Sequence, residues 1–283
     1  MILEAKLYLV GTPIGNIGEI SERARVILSE VDVIAAEDTR NTGVLLKLLG
    51  IAHKKFISYH KLNELKRQEI LLDMLKSGQS IALVSDSGMP CISDPGFLLV
   101  AAASQVGIDV VAVSGASAVI NAVAVSGFPA EPFLFIGFLP RKESEILRAF
   151  SGFRENIALV FYESPKRILK TAALLAFHYP EMKICLCNDM TKLFERTYRG
   201  TAIQVLAELE DNPKAEKGEY TGVAYVEFTP ELKAPLSLEA MLVDTMIRQQ
   251  ISLKEAISVV AQDSGLPKKE VYRAALGLKR LEL

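Results

Sequence analysis

Four stretches concentrate the residues that can do chemistry: GTPIGN (11 to 16), AEDTR (36 to 40), SDSGMPCISDPG (85 to 96) and SGASA (114 to 118). Three of them set glycine among small hydroxyls, a combination that lets backbone come close to a ligand at the end of a strand. The remaining one, AEDTR, offers two adjacent carboxylates. None reads G-x-G-x-x-G or G-x-x-x-x-G-K-[ST], and no lysine follows Gly15 to grip phosphates. Any one of these loops is equally well a tight strand-to-helix turn. Three at the ends of three strands of one sheet converge on one crevice, which points to a small ligand held through backbone groups rather than through a metal-nucleotide clamp. His53, His60 and His178 share no metal-ligand spacing, and His60, in SYHK, is kept as a cleft candidate. The cysteines Cys91, Cys185 and Cys187 are too few and too poorly spaced for a disulfide framework or a four-ligand zinc site. Cys185 and Cys187 lie in an apolar strand and are expected as core thiols on opposite faces. No metal is expected.

The elements that must position these loops alternate. Lys6 to Val10, Val31 to Ala36, Phe56 to Tyr59, Ser80 to Val84 and Val110 to Val113 read as strands separated by helix-length periodic stretches. That alternation predicts an α/β domain over residues 1–125, with a parallel sheet and ligands beyond the carboxyl ends of its strands. SGFPAEP (126 to 132) reads as a linker. Strands at PFLFIGF, IALVFY, KICLCN and GVAYVEF, with a hairpin-like DNPKAEKGEYTG (211 to 222), predict a second α/β domain with a mixed sheet over 126–232. After TPELKAP (229 to 235) the pattern over 233–283 is helical: Ser252 to Glu255 reads as a capping box, and Gly265-Leu266-Pro267 separates two helices of a helix-turn-helix-like segment. Its second helix carries Lys268, Lys269, Arg273, Lys279 and Arg280 against Glu270 and Glu282. Nucleic-acid docking and simple helical packing are both open for it. Within SDSGMPCISDPG, Asp94 and Pro95 are expected to cap and begin the next helix, leaving the first half of the stretch to touch ligand.

The chain has 283 residues, half of them hydrophobic, and a formal charge of -2. It can bury a full core and has no global basic field, so any contact with nucleic acid must come from a local patch. The opening MILEAKLYLVG has no basic lead into an apolar stretch, and no apolar run reaches about 18 residues. A soluble, cytoplasmic protein with no membrane partner is expected.

The segments GTPIGN, AEDTR, SDSGMPCISDPGF, SGASAVINAVAVSGFP, FLPRK, FYESPKR and NDMTKLFE follow one another along the chain. This ordered set resembles the motifs of the tetrapyrrole-methylase superfamily, in its ribosomal RNA branch, over essentially the whole sequence. The resemblance implies two α/β domains of that type, with S-adenosylmethionine (SAM) bound folded in the cleft between them as methyl donor, in a homodimer. It further implies 2'-O-methylation of a ribose in 16S rRNA, at the decoding-site cytidine 1402, on the free RNA or the small ribosomal subunit. Position by position, it places Ile14 beside the cofactor and makes Asp86, Ser87 and Gly88 the backbone that receives it. Cys91 then falls near the adenosine, Ser117 and Ala118 along the adenine side, and Glu163 and Met190 among contacts from the second domain. Ser114 stands where the family has proline, and Asn188-Asp189-Met190 replaces the usual Arg-Glu-Leu.

Methyl transfer to a hydroxyl is an in-line displacement that depends on alignment, and a positioned base adds about two to four powers of ten. Glu37, Asp38, Glu163 and Lys192 are the titratable candidates. Asp38 and Lys192 are assigned as catalytic because both lie in loops expected to border the cleft. The alternative for Asp38 is helix capping, with Arg40 paired to Glu37. Arg141, Lys142, Arg148 and Arg154, with Lys166 and Arg167, are the expected RNA phosphate contacts, a solvated helix face being the alternative. Two other functions stay open: SAM-dependent methylation of a small molecule such as a tetrapyrrole, and a non-catalytic RNA-binding ribosome-assembly factor.

Overall fold

The computed structural model describes residues 4–52, 54–153, 155–227, 237–249, 251–264 and 266–278. His53, Arg154, the TPELKAP stretch, Lys279, Arg280 and Glu282 lie outside the described residues. Residues 1–227 form one compact unit and 228–283 a second.

The first sheet of the larger unit holds β1 (Leu7–Val10), β2 (Val33–Ala36), β3 (Lys55–Ser58), β4 (Ile81–Val84) and β5 (Val110–Val113), all parallel in the order β3-β2-β4-β1-β5. β2 and β4 are buried at every position, as central parallel strands covered on both faces must be. Helices α1 (Glu22–Glu30) and α2 (Thr39–Leu48) pack Ala24, Ile27, Leu28 and Leu46 on one face. On the other, α3 (Glu64–Lys76) and α4 (Phe97–Gln105) pack Leu71, Leu75, Leu99 and Ala103. Parallel pairing brings the loops after β1, β2, β4 and β5 to one edge, so the four chemistry-bearing stretches come together because the strands do.

After α5 (Ala118–Ser126) the chain builds the second sheet from β6 (Phe133–Phe138), β7 (Ile157–Glu163), β8 (Lys183–Asn188), β9 (Arg196–Thr201) and β10 (Tyr220–Val226), ordered β6-β7-β10-β8-β9. Only β6 and β7 pair in parallel; the other pairs are antiparallel, a mixed sheet. Helices α6 (Glu143–Ala149), α7 (Pro165–His178) and α8 (Ala202–Glu210) cover one face through Ile146, Ile168, Leu175, Val205 and Leu209. The opposite face is covered by α5, whose Val119 and Ala122 pack on Val160, Cys185, Cys187 and Val223.

Three expectations are corrected here. Cys185 and Cys187 share a face, with their Sγ atoms 4.0 Å apart, because residues two apart on a strand point the same way. DNPKAEKGEYTG is not a hairpin: Asp211 closes the end of α8 and the segment leads from that helix into β10. β9 was not expected at all, because RTYRGT is a polar edge strand whose only fully buried side chain is Tyr198.

In the smaller unit α9 (Leu238–Gln249), α10 (Leu253–Ser264) and α11 (Lys268–Leu278) enclose Leu242, Ile257, Val260 and Val271, one helix more than the sequence suggests. The capping box forms: the Glu255 N–H donates to Ser252 Oγ (3.4 Å) and the Ser252 N–H to Glu255 Oε2 (2.9 Å). Lys268, Lys269 and Arg273 are exposed. Among the described residues no helix is long and apolar enough to cross a membrane.

Candidate active site

The loops after β1, β4 and β5 touch one another before they touch any ligand. A Cβ on Gly11 would lie 2.7 Å from Gly115 Cα, so these two glycines exist for the crossing of the β1 and β5 loops. Thr12 and Gly88 exchange backbone hydrogen bonds of 2.9 and 3.1 Å, an antiparallel bridge that ties the β1 loop to the β4 loop. Gly88 itself has φ +80°, and only there does a glycine of the set face the cleft. Gly15 leaves room for Lys192, whose Cγ would be 2.5 Å from an added Cβ.

Beside this bridge lies a cleft with a cavity volume of about 440 Å³, within the range of small-molecule sites. The first sheet contributes Ile14, Ser87 to Met89, Ile92 to Asp94, Ser117 and Ala118. The second contributes Phe138, Tyr162 to Pro165, Met190 and Glu219 to Thr221. The second set converges because β10 runs antiparallel to β7 and β8, with Tyr220 opposite both Glu163 and Asn188. Its aromatic wall is interlocked, Tyr162 lying edge-on to Phe135 and Phe138 at 4.9 and 5.3 Å between centroids. Ser117 caps α5 through the Ile120 N–H (3.4 Å), fixing the loop at the mouth of the helix that supports the second sheet.

Among the described residues the cleft lining contains Asp94, Glu163 and Glu219 and no lysine, arginine or histidine. Glu163 is fully buried and its oxygens are taken: they accept from the Ser164 N–H (2.6 Å) and Thr171 Oγ1 (2.7 Å), and Arg167 pairs with it at 3.2 Å. Asp94 differs. Burial pushes its carboxyl up to about 6, the charges of Glu37 and Asp86 add to the rise, and a hydrogen bond to Ser85 opposes it. It does not cap α4, whose N-cap is Gly96 at φ +141°, so its side chain is left to the cleft and both halves of SDSGMPCISDPG line it. Cys91 (φ +70°) and Ser93 (φ +66°) flank this segment in left-handed conformations, the kind of backbone strain that gathers at functional sites.

Of the residues expected at a cofactor, Ile14, Ser87, Gly88, Ser117, Ala118, Glu163 and Met190 line the cleft together. Asp86 and Cys91 do not. Cys91 packs with Leu83 and Leu99 behind the loop, its Sγ against Gly96, and burial raises its thiol to about 11. Asp86 lines a separate concavity. Sequence reasoning missed Asp94, Tyr162, Glu219, Tyr220 and Thr221.

The two expected catalytic residues are held differently. Asp38 caps α2 through the Arg40 N–H (2.9 Å) and pairs with the Arg40 guanidinium at 2.6 Å. Those bonds hold its carboxyl down at about 2, which makes it a poor base and favours the capping reading, with Asp38 rather than Glu37 as the partner of Arg40. Lys192 donates to Asp189 and Glu219 at 2.8 Å each. Burial works against its ammonium, and those hydrogen bonds outweigh it, so the pKa lies above the ordinary lysine value. Lys192 is a fixed cation on a loop where Asp189 (φ +50°) and Thr191 (φ +68°) are left-handed. His60 is engaged locally, its ring accepting from the Leu62 N–H, and does not line the cleft.

Among the expected RNA contacts, Arg141, Lys142, Arg148 and Lys166 are exposed around α6 and the start of α7. Arg167 is turned inward, donating to the carbonyls of Leu139 (3.2 Å) and Pro140 (2.5 Å) as well as pairing with Glu163. Among the described residues no group of three or more His, Cys, Asp or Glu could hold a metal ion.

Residues 6–206 match the family Tetrapyrrole (Corrin/Porphyrin) Methylases, and residues 238–279 match the RsmI C-terminal HTH domain. The chain is 42% identical to a Streptococcus pyogenes serotype M1 protein named ribosomal RNA small subunit methyltransferase I, over 94% of this chain and 93% of that one. It is 41% identical to the Haemophilus influenzae protein of the same name, over 98% and 97%. In fold, 77% of the chain superposes on 88% of a diphthine synthase at 14% identity (TM-score 0.57). A further superposition covers 77% of the chain and 94% of uroporphyrin-III-C-methyltransferase from Thermus thermophilus, at 18% identity (TM-score 0.51). With residues 6–206 matched to one family, the three C-terminal helices to the RsmI C-terminal domain and nearly the whole chain to relatives of one name, the chain belongs to the tetrapyrrole methylases, in the ribosomal RNA small subunit methyltransferase I family.

Proposed function

We propose that this methyltransferase uses SAM to methylate the ribose 2'-hydroxyl of cytidine 1402 in 16S rRNA, acting in the cytoplasm as a homodimer. What carries the reading is the match to relatives named for small-subunit rRNA methylation along nearly the whole chain, C-terminal helices included. The cleft suits the cofactor on physical grounds. Among the described residues the lining carries no basic side chain to meet a polyphosphate, and with Glu163 paired to Arg167 and Glu219 to Lys192, Asp94 is the lining carboxylate left to face a ligand that carries positive charge, as a sulfonium with an α-amino group does. Ile14, Met190 and the Phe138–Tyr162 wall offer apolar contact to an adenine, and Gly88 and Ser117 offer backbone at the loop ends.

Bound SAM would supply an electrophilic methyl group whose C–S bond breaks as the O–C bond forms. The chain's part is to align the hydroxyl and accept its proton. Asp94 suits the proton, since a carboxyl near 6 is ionised at neutral pH yet far more basic than Asp38. Lys192, locked between Asp189 and Glu219, positions the Met190 loop against Gly15. Arg141, Lys142, Arg148 and Lys166 are assigned to RNA phosphates, with Arg167 as their internal brace.

Incubation with methyl-labelled SAM and 30S subunits lacking the modification, naked 16S rRNA or uroporphyrinogen tests this. Label at the ribose of cytidine 1402 is expected. Label in uroporphyrinogen alone, or nowhere, refutes the assignment. The homodimer is checked by light scattering, and the patch by Arg141→Glu/Lys142→Glu, which is expected to weaken RNA binding and flatten its salt dependence.

A further inference from the structure

A second concavity, of about 220 Å³, opens at the β1 and β4 loops. The bridged loops divide their residues between two sites. Ile14, Ser87 and Gly88 line the large cleft, whereas Pro13, Gly15, Ser85 and Asp86 line the second concavity. Its apolar walls come from Pro13, Ile17, Leu45 and Leu48, and two of these, Ile17 and Leu48, are 42% and 69% exposed. Its polar side chains are Asn41, Thr42, Ser85 and Asp86, of which Asp86 alone is charged. The Asp86 carboxylate is fixed before any ligand arrives: Oδ1 accepts from the Asp38 N–H (3.1 Å) and Oδ2 from Asn41 Nδ2 (2.7 Å). Each of those oxygens keeps a lone pair for another donor.

An apolar slot with one immobilised carboxylate suits a flat heterocycle bearing an exocyclic amine. The ring faces meet Pro13, Ile17, Leu45 and Leu48, and the amine donates to Asp86. A carbonyl in the amine's place would set two acceptors against each other, and carboxylates read cytosine through its amino group for this reason. Enzymes that act on one nucleotide commonly take it out of the stack and hold its base in a separate pocket. Resting on the rRNA reading above, we propose that the second concavity holds the base of the target nucleotide and that Asp86 reads the cytosine amine, with the methyl donor on the other side of the Thr12–Gly88 bridge.

Free cytidine and uridine, titrated into protein carrying ¹³C-labelled Ile and Leu methyls, provide a readout that does not need catalysis. Cytidine is expected to shift the Ile17, Leu45 and Leu48 methyls at least tenfold more tightly than uridine, and Asp86→Asn to bring that ratio below threefold while SAM affinity stays within twofold. In turnover on 30S subunits bearing cytidine or uridine at the target position, the wild type is expected to prefer cytidine at least tenfold and Asp86→Asn less than threefold. Methyl shifts indifferent to the base, or an Asp86→Asn variant that keeps the preference, overturn the proposal. Cytidine-selective shifts without methyl transfer to any RNA support the base site and refute the methyltransferase reading instead.

Discussion

Replacing Asp94 by asparagine separates the cost of an ionised carboxylate in the cleft from its use. Its carboxyl stands at about 6 against an ordinary 3.8, a shift of two units, which at about 1.4 kcal/mol per unit sets a ceiling near 3 kcal/mol. Partial exposure of the side chain lets water screen the charge, and about 1 kcal/mol is the expected effect. The native state binds this proton more tightly than the unfolded chain. The stability it confers is therefore fully present below pH 4 and lost as pH rises through 6. Urea unfolding of wild type and Asp94→Asn at pH 4.5 and 7.5 measures this. The variant is expected to be the more stable at pH 7.5 by about 1 kcal/mol, and to close most of that gap at pH 4.5. Turnover on 30S subunits should fall about a hundredfold or more, with the acid limb of the wild-type pH profile near 6 abolished. A variant no more stable at pH 7.5 refutes the burial argument. A limb near 6 that survives in Asp94→Asn refutes its role as base.

Other substitutions probe the remaining parts. Arg167→Ala leaves the Glu163 carboxylate buried without its cation and is expected to cost about 3 kcal/mol in urea unfolding, with Arg167→Lys recovering part of it. Gly88→Val forces a branched side chain into φ +80° at the lip of the cleft, at about 1–2 kcal/mol of strain; SAM affinity by calorimetry should fall at least a hundredfold with the circular dichroism spectrum kept. Asp38→Ala removes a helix cap and no base, so turnover measured at saturating SAM should stay within threefold of wild type. Lys192→Ala frees Asp189 and Glu219 and is expected to raise KM for SAM more than it lowers kcat.

The strands of the first sheet were legible because short apolar runs bounded by glycine and polar residues have few other fates in an alternating chain. The loops that form the cleft were legible for the same reason: strand ends locate them. What escaped depended on contacts across the fold. Asp94 sits three residues before a helix, and the sequence favours a cap there, yet the left-handed Cys91 and Ser93 turn the segment so that Gly96 becomes the N-cap. Glu219 to Thr221 lie at the start of a strand rather than after its end, and reach the site only because β10 is antiparallel to its neighbours. β9 carries too few apolar residues to announce itself, and its Arg199 donates to the carbonyls of Val125 and Ser126 at the end of α5, a partnership no local pattern encodes.

That helix has a consequence for how the chain can be divided. α5 leaves the first sheet at Ser117, covers the inner face of the second, and is clamped at its far end by Arg199 of the edge strand β9. A cut in the 126–132 connection would strand the helix on one fragment and its binding face on the other. Neither piece would be a self-sufficient folding unit, and the two would be expected to reassociate through Val119 and Ala122 against Val160 and Val223. The cleft is thereby built on a shared strut rather than on a hinge between two independent lobes.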